Sequence, residues 1–181
     1  MTDKMRFPGD PAPAGLVDRV IRVDHAGEYG AARIYAGQLA VLRGSDKAPL
    51  IERMQAQEQY HLDTFSVLIG ERRVRPTALL PLWHLAGFAL GAATAALGER
   101  AAMACTVAVE EAIDAHYQGQ LDALGDSEAP LKATIARFRD EELEHRDIGL
   151  EHGAEQAPGY RVLSSVIKAG CRVAIALSER V

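Results

Sequence analysis

Two short stretches of this sequence could do chemistry: Glu58-Gln59-Tyr60-His61 and Glu142-Leu143-Glu144-His145. Each places a carboxylate one helical turn before an imidazole. Residues three apart share a helix face, so both side chains can reach one point. A lone glutamate at an inward position of an earlier helical stretch precedes each figure: Glu28 lies 30 residues before Glu58, and Glu110 lies 32 before Glu142. Carboxylate oxygens and imidazole nitrogens suit iron(II) and manganese(II). Four glutamates and two histidines from four helices form the ligand set of a dinuclear carboxylate site inside a helical bundle. In such a site each Glu-x-x-His gives a terminal His and a bridging Glu, and the lone glutamates complete the two sides. Charge argues the same way. Four ionised carboxylates facing one core would each cost on the order of several kcal/mol if unpaired, whereas two divalent cations balance them. Either figure alone is a common surface coincidence in an acidic helical protein. Their repetition in the same order on four stretches carries the reading.

The elements that must position these groups are legible from periodicity. From about Gly15, Val17, Ile21, Asp24, Glu28, Ala31, Tyr35 and Leu42 form one helical stripe. Gly44-Ser45-Asp46-Lys47 breaks it, and Pro49 suits the first turn of a second helix. There Leu50, Met54, Glu58, His61, Phe65 and Leu68 face inward until Gly70 and the Arg72-Arg73-Val74-Arg75-Pro76 run end the helix. A helix from Glu99 carries Met103, Val107, Glu110, Asp114, Tyr117, Leu121 and Leu124, which selects Glu110 over Glu111. After the turn at Gly125-Asp126-Ser127, Leu131, Ile135, Phe138, Glu142 and His145 share a stripe that selects Glu142 over Glu141 and Glu144. A last helix, Tyr160 to about Ser178, is apolar on one side through Val162, Val166, Ala169 and Val173.

Residues 77–98 contain no Asp, Glu, Lys or Arg, are rich in Gly and Ala, and carry Pro81. The run is about as long as a membrane span requires. It also suits a crossover joining two halves of a bundle in which the helices before and after it run parallel. A span is disfavoured, because bundle packing needs both ends of the crossover placed. A core helix and a helix that also meets lipid both remain open.

The expected fold is therefore an all-α, ferritin-like bundle of four metal-bearing helices, an apolar crossover helix and a C-terminal helix. Residues 1–13 read as a flexible lead and residues 14–181 as one domain. Hydrophobic content of 48% with 6% aromatics suits helices packed through small residues, and the net charge of −5 disfavours nucleic acid as a partner. Cys105 and Cys171 stand singly, as buried free thiols of a reducing compartment. Asp24 and Asp114, each one turn from a lone glutamate, are the candidate acceptors for the outer N–H of the ligand histidines. His25 and His152 read as surface groups or as groups beside the ligands, and His84 as a core or interface residue. For His116 and Tyr117, beyond Glu110, a substrate-channel or electron-transfer role stands beside ordinary packing.

With these residues in hand, the sequence resembles the demethoxyubiquinone hydroxylase family of di-iron monooxygenases in ubiquinone biosynthesis. The resemblance runs from Ile21 to Val181. It is carried by Arg22-Val23-Asp24-His25-Ala26-Gly27-Glu28-Tyr29-Gly30, Arg73-Val74-Arg75-Pro76-Thr77, Ala104-Cys105-Thr106-Val107-Ala108-Val109-Glu110-Glu111, Phe138-Arg139-Asp140-Glu141-Glu142-Leu143-Glu144-His145 and Ala169-Gly170-Cys171-Arg172-Val173-Ala174. The family's ligand set falls on Glu28, Glu58, His61, Glu110, Glu142 and His145, and its His-Tyr pair on His116-Tyr117. The resemblance implies two iron ions per chain, with manganese left open by the ligand types, and O2 as co-substrate. It implies hydroxylation of a polyprenyl benzoquinol ring, with two electrons from NADH or the quinol itself; there is no GxGxxG for a bound nucleotide. A tailed quinone dwells in lipid, so the implied place is peripheral, on the cytoplasmic face of a bacterial inner membrane, because the transit sequence of mitochondrial members is missing. A lipid-presenting protein and a second copy of the chain are further candidate partners. The rival readings are a ferritin-type iron oxidiser and a non-enzymatic lipid-binding helical module.

Overall fold

The computed structural model describes residues 15–181, so the expected lead at residues 1–13 lies outside it. Six helices follow in order: α1 (Leu16–Leu42), α2 (Ala48–Arg72), α3 (Leu80–Ala96), α4 (Glu99–Ala123), α5 (Ala129–Glu151) and α6 (Tyr160–Ser178). Short 3-10 turns precede α5 and α6, and no strand occurs among the described residues. Proline stands in the first turn of α2, α3 and α5, where its missing N–H leaves no bond unmade. Helix α2 ends inside the run of residues 72–76, as expected, while Gly70 lies within its last turn. The stop is Arg73, in the left-handed region at φ 54°, where the Arg73 N–H bonds to Gly70 O at 3.3 Å and that of Val74 to Ile69 O at 3.0 Å.

The four helices with carboxylate stripes pack around two apolar clusters, one toward each end. Tyr35, Leu39, Leu42, Ile51, Met54, Met103 and Val107 form the first. Val20, Ile21, Phe65, Tyr117, Leu124, Ile135 and Phe138 form the second. The N-terminal halves of α2 and α4 share the first cluster, so these two helices run parallel and α3 is the crossover between them. The six candidate ligands lie between the clusters, each at most 1% exposed.

The composition of α3 has a packing cause. It lies along α1, and a Cβ built at Gly87 would stand 2.8 Å from Gly30 O; at Gly91 and Gly37 the facing backbone is closer still. Two helix backbones in contact need glycine at the crossing. Only Gly87, Gly91, Thr94 and Ala95 of α3 are buried, so α3 is not a core helix. Its outer side exposes Leu82 and Leu85. Among the described residues no helix is long and apolar enough to cross a membrane. Replacing Gly91 by Ala forces the two backbones apart. Thermal melts should show a loss of about 1–3 kcal/mol, the usual cost of overpacking, with the loss smaller at the open Gly119 of α4, where a Cβ meets nothing within 4 Å.

The apolar side read for α6 turns out to face outward, with Val162 70%, Val166 65% and Val173 59% exposed. The helix instead packs through Ser164 and Ile167, with Leu163 and Cys171 partly buried, onto Cys105, Ala108 and Val109 of α4. The small residues of α4 decided the packing face.

Candidate metal centre

Each of the four bundle helices delivers its glutamate from the middle of a stripe whose neighbours are buried apolar side chains, so the carboxylates have nowhere to go but inward. The ligand atoms fall into two groups: Glu28, Glu58, His61 and Glu142, and Glu58, Glu110, Glu142 and His145. Within each group every ligand atom lies within 4.8 Å of every other. Glu58 and Glu142 belong to both, which makes them the two carboxylates able to bridge. All six residues predicted as ligands are brought together.

Both imidazoles turn Nδ1 to this cluster. His61 Nδ1 is 3.1 Å from Glu142 Oε1 and 3.4 Å from Glu28 Oε2. His145 Nδ1 is 3.0 Å from Glu58 Oε1 and 3.3 Å from Glu142 Oε2. The outer Nε2 atoms meet acceptors that the sequence reading did not name: Glu141 Oε2 at 2.5 Å from His61, and Gln57 Oε1 at 3.1 Å from His145. The expected acceptors are otherwise engaged. Asp24 accepts from Gln120 Nε2 at 2.6 Å, and Asp114 accepts from Arg139 Nε at 2.6 Å.

Two tyrosines tie down the lone glutamates. Tyr35 OH donates to Glu110 Oε1 at 2.9 Å, and Tyr117 OH donates to Glu28 Oε1. Burial, with the neighbouring carboxylates, lifts both phenols well above their ordinary range, so they remain donors. Tyr117 thus touches the site, as does Tyr35, which the sequence reading placed only in a stripe. Its signal was the spacing: each tyrosine stands seven residues after one lone glutamate and donates to the other. His116 faces elsewhere, 2.8 Å from Gln120 Nε2 and 3.4 Å from Asp24 Oδ1. His84 Nδ1 pairs with Tyr29 OH at 2.7 Å, and His152 Nδ1 lies 3.0 Å from its own helix's Ile148 O. His25 is buried rather than on the surface.

The electrostatics are those of a site short of positive charge. Burial pushes Glu28, Glu58 and Glu110 above the usual carboxylate range, and the charge of Glu142 adds to the rise. Burial acts upward on Glu142 too, but hydrogen bonds from His145 and His61 outweigh it and hold that group at about 2. Burial would lower His61; its bonds to Glu142 and Glu28 lift it to about 12 instead. Apart from these close imidazole contacts, no aligned hydrogen bond reaches either oxygen of Glu58 or one oxygen each of Glu28, Glu110 and Glu142 among the described residues, and all are buried. Buried polar atoms are nearly always satisfied. At the site these are carboxylate oxygens, hard acceptors that fall into two groups of close ligand atoms, which is what two divalent cations require. The residues present fit a dinuclear metal group.

Comparison with known proteins gives the same direction. The family model described as ubiquinone biosynthesis protein COQ7 matches residues 15–178. The chain belongs to the COQ7 family. Relatives span a wide range of organisms. A Rhodospirillum rubrum protein named 3-demethoxyubiquinol 3-hydroxylase is 64% identical over 181 residues, covering 99% of this chain and 85% of that protein. A human protein named NADPH-dependent 3-demethoxyubiquinone 3-hydroxylase, mitochondrial, is 60% identical over 175 residues, covering 94% and 81%. The Saccharomyces cerevisiae 5-demethoxyubiquinone hydroxylase, mitochondrial, is 46% identical over 187 residues, covering 94% and 80%. Because the COQ7 match spans all four glutamate-bearing helices, the whole candidate centre of this chain lies inside the family region.

Proposed function

We infer that this chain is a 3-demethoxyubiquinol 3-hydroxylase, a di-iron monooxygenase that hydroxylates the ring of a polyprenylated demethoxy-ubiquinol with O2 and two electrons. The observation that carries the reading is the pair of four-ligand groups sharing Glu58 and Glu142, in a chain of this family. Glu28 and His61 would hold one iron and Glu110 and His145 the other, with Glu58 and Glu142 between them. Bound iron supplies the O2 activation and electron storage that protein side chains lack. Tyr117 and Tyr35 fix the outer carboxylates by donating to them, and the apolar clusters at either end exclude water from the ligand layer.

The substrate's place is supported by an apolar cavity of about 440 Å³ between α1, α3, α4 and α6. Gly27 and Val109, chain neighbours of Glu28 and Glu110, line it together with Trp83, Val166 and Cys171. Its volume falls within the range of small-molecule sites, and its lining suits an isoprenoid chain. The two electrons come from outside the chain: from a reduced nicotinamide, NADH by the family resemblance and NADPH by the name of the human relative, or from the quinol itself.

The substrate's tail argues for a peripheral place on a membrane surface. Val166 both lines the cavity and stands in the open on the side of α6 that exposes Val162 and Val173, and Trp83 Nε1 of α3 donates to Ser178 Oγ at the end of α6 at 3.0 Å. Glutamates placed at Leu85 and Val173, 69% and 59% exposed, should cut flotation with anionic liposomes at least several-fold while leaving the melting temperature unchanged; equal flotation contradicts the membrane reading. The function itself is tested by quinone profiles of a host lacking its demethoxyubiquinone hydroxylase. Restored ubiquinone supports it, and persistence of the demethoxy precursor beside soluble, iron-loaded protein overturns it.

A further inference from the structure

The ligand set is close to two-fold symmetric, and so are most of the bonds around it. Tyr35 and Tyr117 exchange partners across the site, and Gln38 and Gln120 do likewise. Gln38 Nε2 reaches Thr106 Oγ1, four residues before Glu110, at 3.5 Å, and Gln120 Nε2 reaches Asp24, four before Glu28, at 2.6 Å. The residue just before each motif glutamate follows the rule as well, since each holds the outer nitrogen of the other motif's histidine. Gln57 of α2 lies against His145 of α5, and Glu141 of α5 against His61 of α2. Here, as between Thr106 and Asp24, the symmetry of position holds while the chemical kind differs, and this time the difference falls directly on the histidines. One histidine leans on a carboxylate at 2.5 Å, the other on a neutral amide at 3.1 Å.

We propose that Glu141 and Gln57 are positioning residues that make the two metal positions unequal, the one beside His61 being the tighter. This rests on the metal reading given above. A carboxylate accepting the outer N–H makes an imidazole a stronger donor to its metal and adds a negative charge behind it. An amide oxygen orients the ring equally well but adds no charge. The His61 position therefore fills first and empties last. Glu141 can serve in this way because its side chain is 25% exposed, so its charge is partly hydrated while its Oε2 reaches His61. Gln57 does the same geometric work on the opposite side without it.

The test is competition between a chelator and full-length protein loaded with Co2+, following the metal retained and its visible absorption. Wild type should release two Co2+ with affinities about 10-fold or more apart, the usual size of an outer-partner effect. Glu141→Gln should weaken the tighter position by about that factor and bring the two together, whereas Gln57→Glu should strengthen the weaker one. The double exchange, Glu141→Gln with Gln57→Glu, should restore two affinities with their places reversed. The assignment is read from ligand variants: in wild type the tight position survives His145→Ala and is lost in His61→Ala, and in the double exchange the reverse holds. Two equal affinities in wild type, or a double exchange that leaves the assignment unchanged, overturn this proposal alone. A wild-type protein that retains no Co2+ overturns the metal reading and this proposal with it.

Discussion

Glu142→Ala leaves a folded protein with fewer than two metals per chain and a loss of quinol hydroxylation greater than about 100-fold. Replacing a partner outside the ligands usually costs 10–100-fold, and Glu142 is an inner carboxylate common to both ligand groups. It is also the group on which both histidines converge, through His61 Nδ1 at 3.1 Å and His145 Nδ1 at 3.3 Å. Truncation would therefore remove the carboxylate common to both groups and free both rings at once. The fold survives because the apolar clusters of the bundle are built from other residues. Circular dichroism should show wild-type helix content, elemental analysis the metal loss, and mass spectrometry of quinones the accumulated precursor. A variant that keeps two metals and near-normal turnover would show that Glu142 does not bridge.

The six candidate ligands were legible because helical periodicity distinguishes neighbours. Glu142 lies in line with Ile135 and Phe138, and Glu141 and Glu144 do not; burial follows that order. The same rule hid what Glu141 does. Its side chain works across the gap between α2 and α5, and the depth of that gap is a tertiary quantity. Asp114 illustrates the converse: it stood at the right spacing from Glu110, but Arg139 on the adjacent helix offers a charged partner, and the carboxylate turns to it. In α3 the absence of charge suggested either core or lipid. Neither explains its glycines, which are set by the backbone of α1 at Gly30 and Ile34. In α6 the valine stripe was seen correctly, but its direction depended on how closely Ile167 could approach Ala108 and Val109 of α4.

Chelation of the wild-type protein lowers its melting temperature, and the drop is larger at pH 8 than at pH 5.5. Metal present at about 100 times the weaker position's Kd contributes at least roughly 5 kcal/mol, or about 10–20 °C for a chain of this size. The pH dependence follows from the metal-free site. The unfolded chain releases its glutamate protons near pH 4.5, but Glu28, Glu58 and Glu110 hold theirs to higher pH when folded. Between those values the folded state binds more protons, so its stability falls as pH rises. His61, lifted from 6.5 to about 12, and the raised His145 act in the same direction from pH 6.5 upward. Glu142, held at about 2, acts oppositely, but its contribution is complete above pH 4.5 and is lost only as pH falls toward 2. Buried His25, whose value is lowered, opposes the trend up to pH 6.5 as a single group. Metal binding displaces the protons that the site retains, so metal affinity climbs over the same interval. Melts across pH with and without chelator check this, and a metal-free melting temperature that rises from pH 5.5 to 8 contradicts it. Glu58→Gln sharpens the comparison. Burial, with the charges of Glu142 and Glu28, makes Glu58 costly to ionise in the empty site, so the amide removes a buried ionisable group at nearly constant shape, at the expense of one contact of 3.0 Å with His145 Nδ1. At pH 8 the metal-free variant should melt above metal-free wild type, and excess metal should reverse that order, because the residue that costs stability in the empty site is one that the metals need.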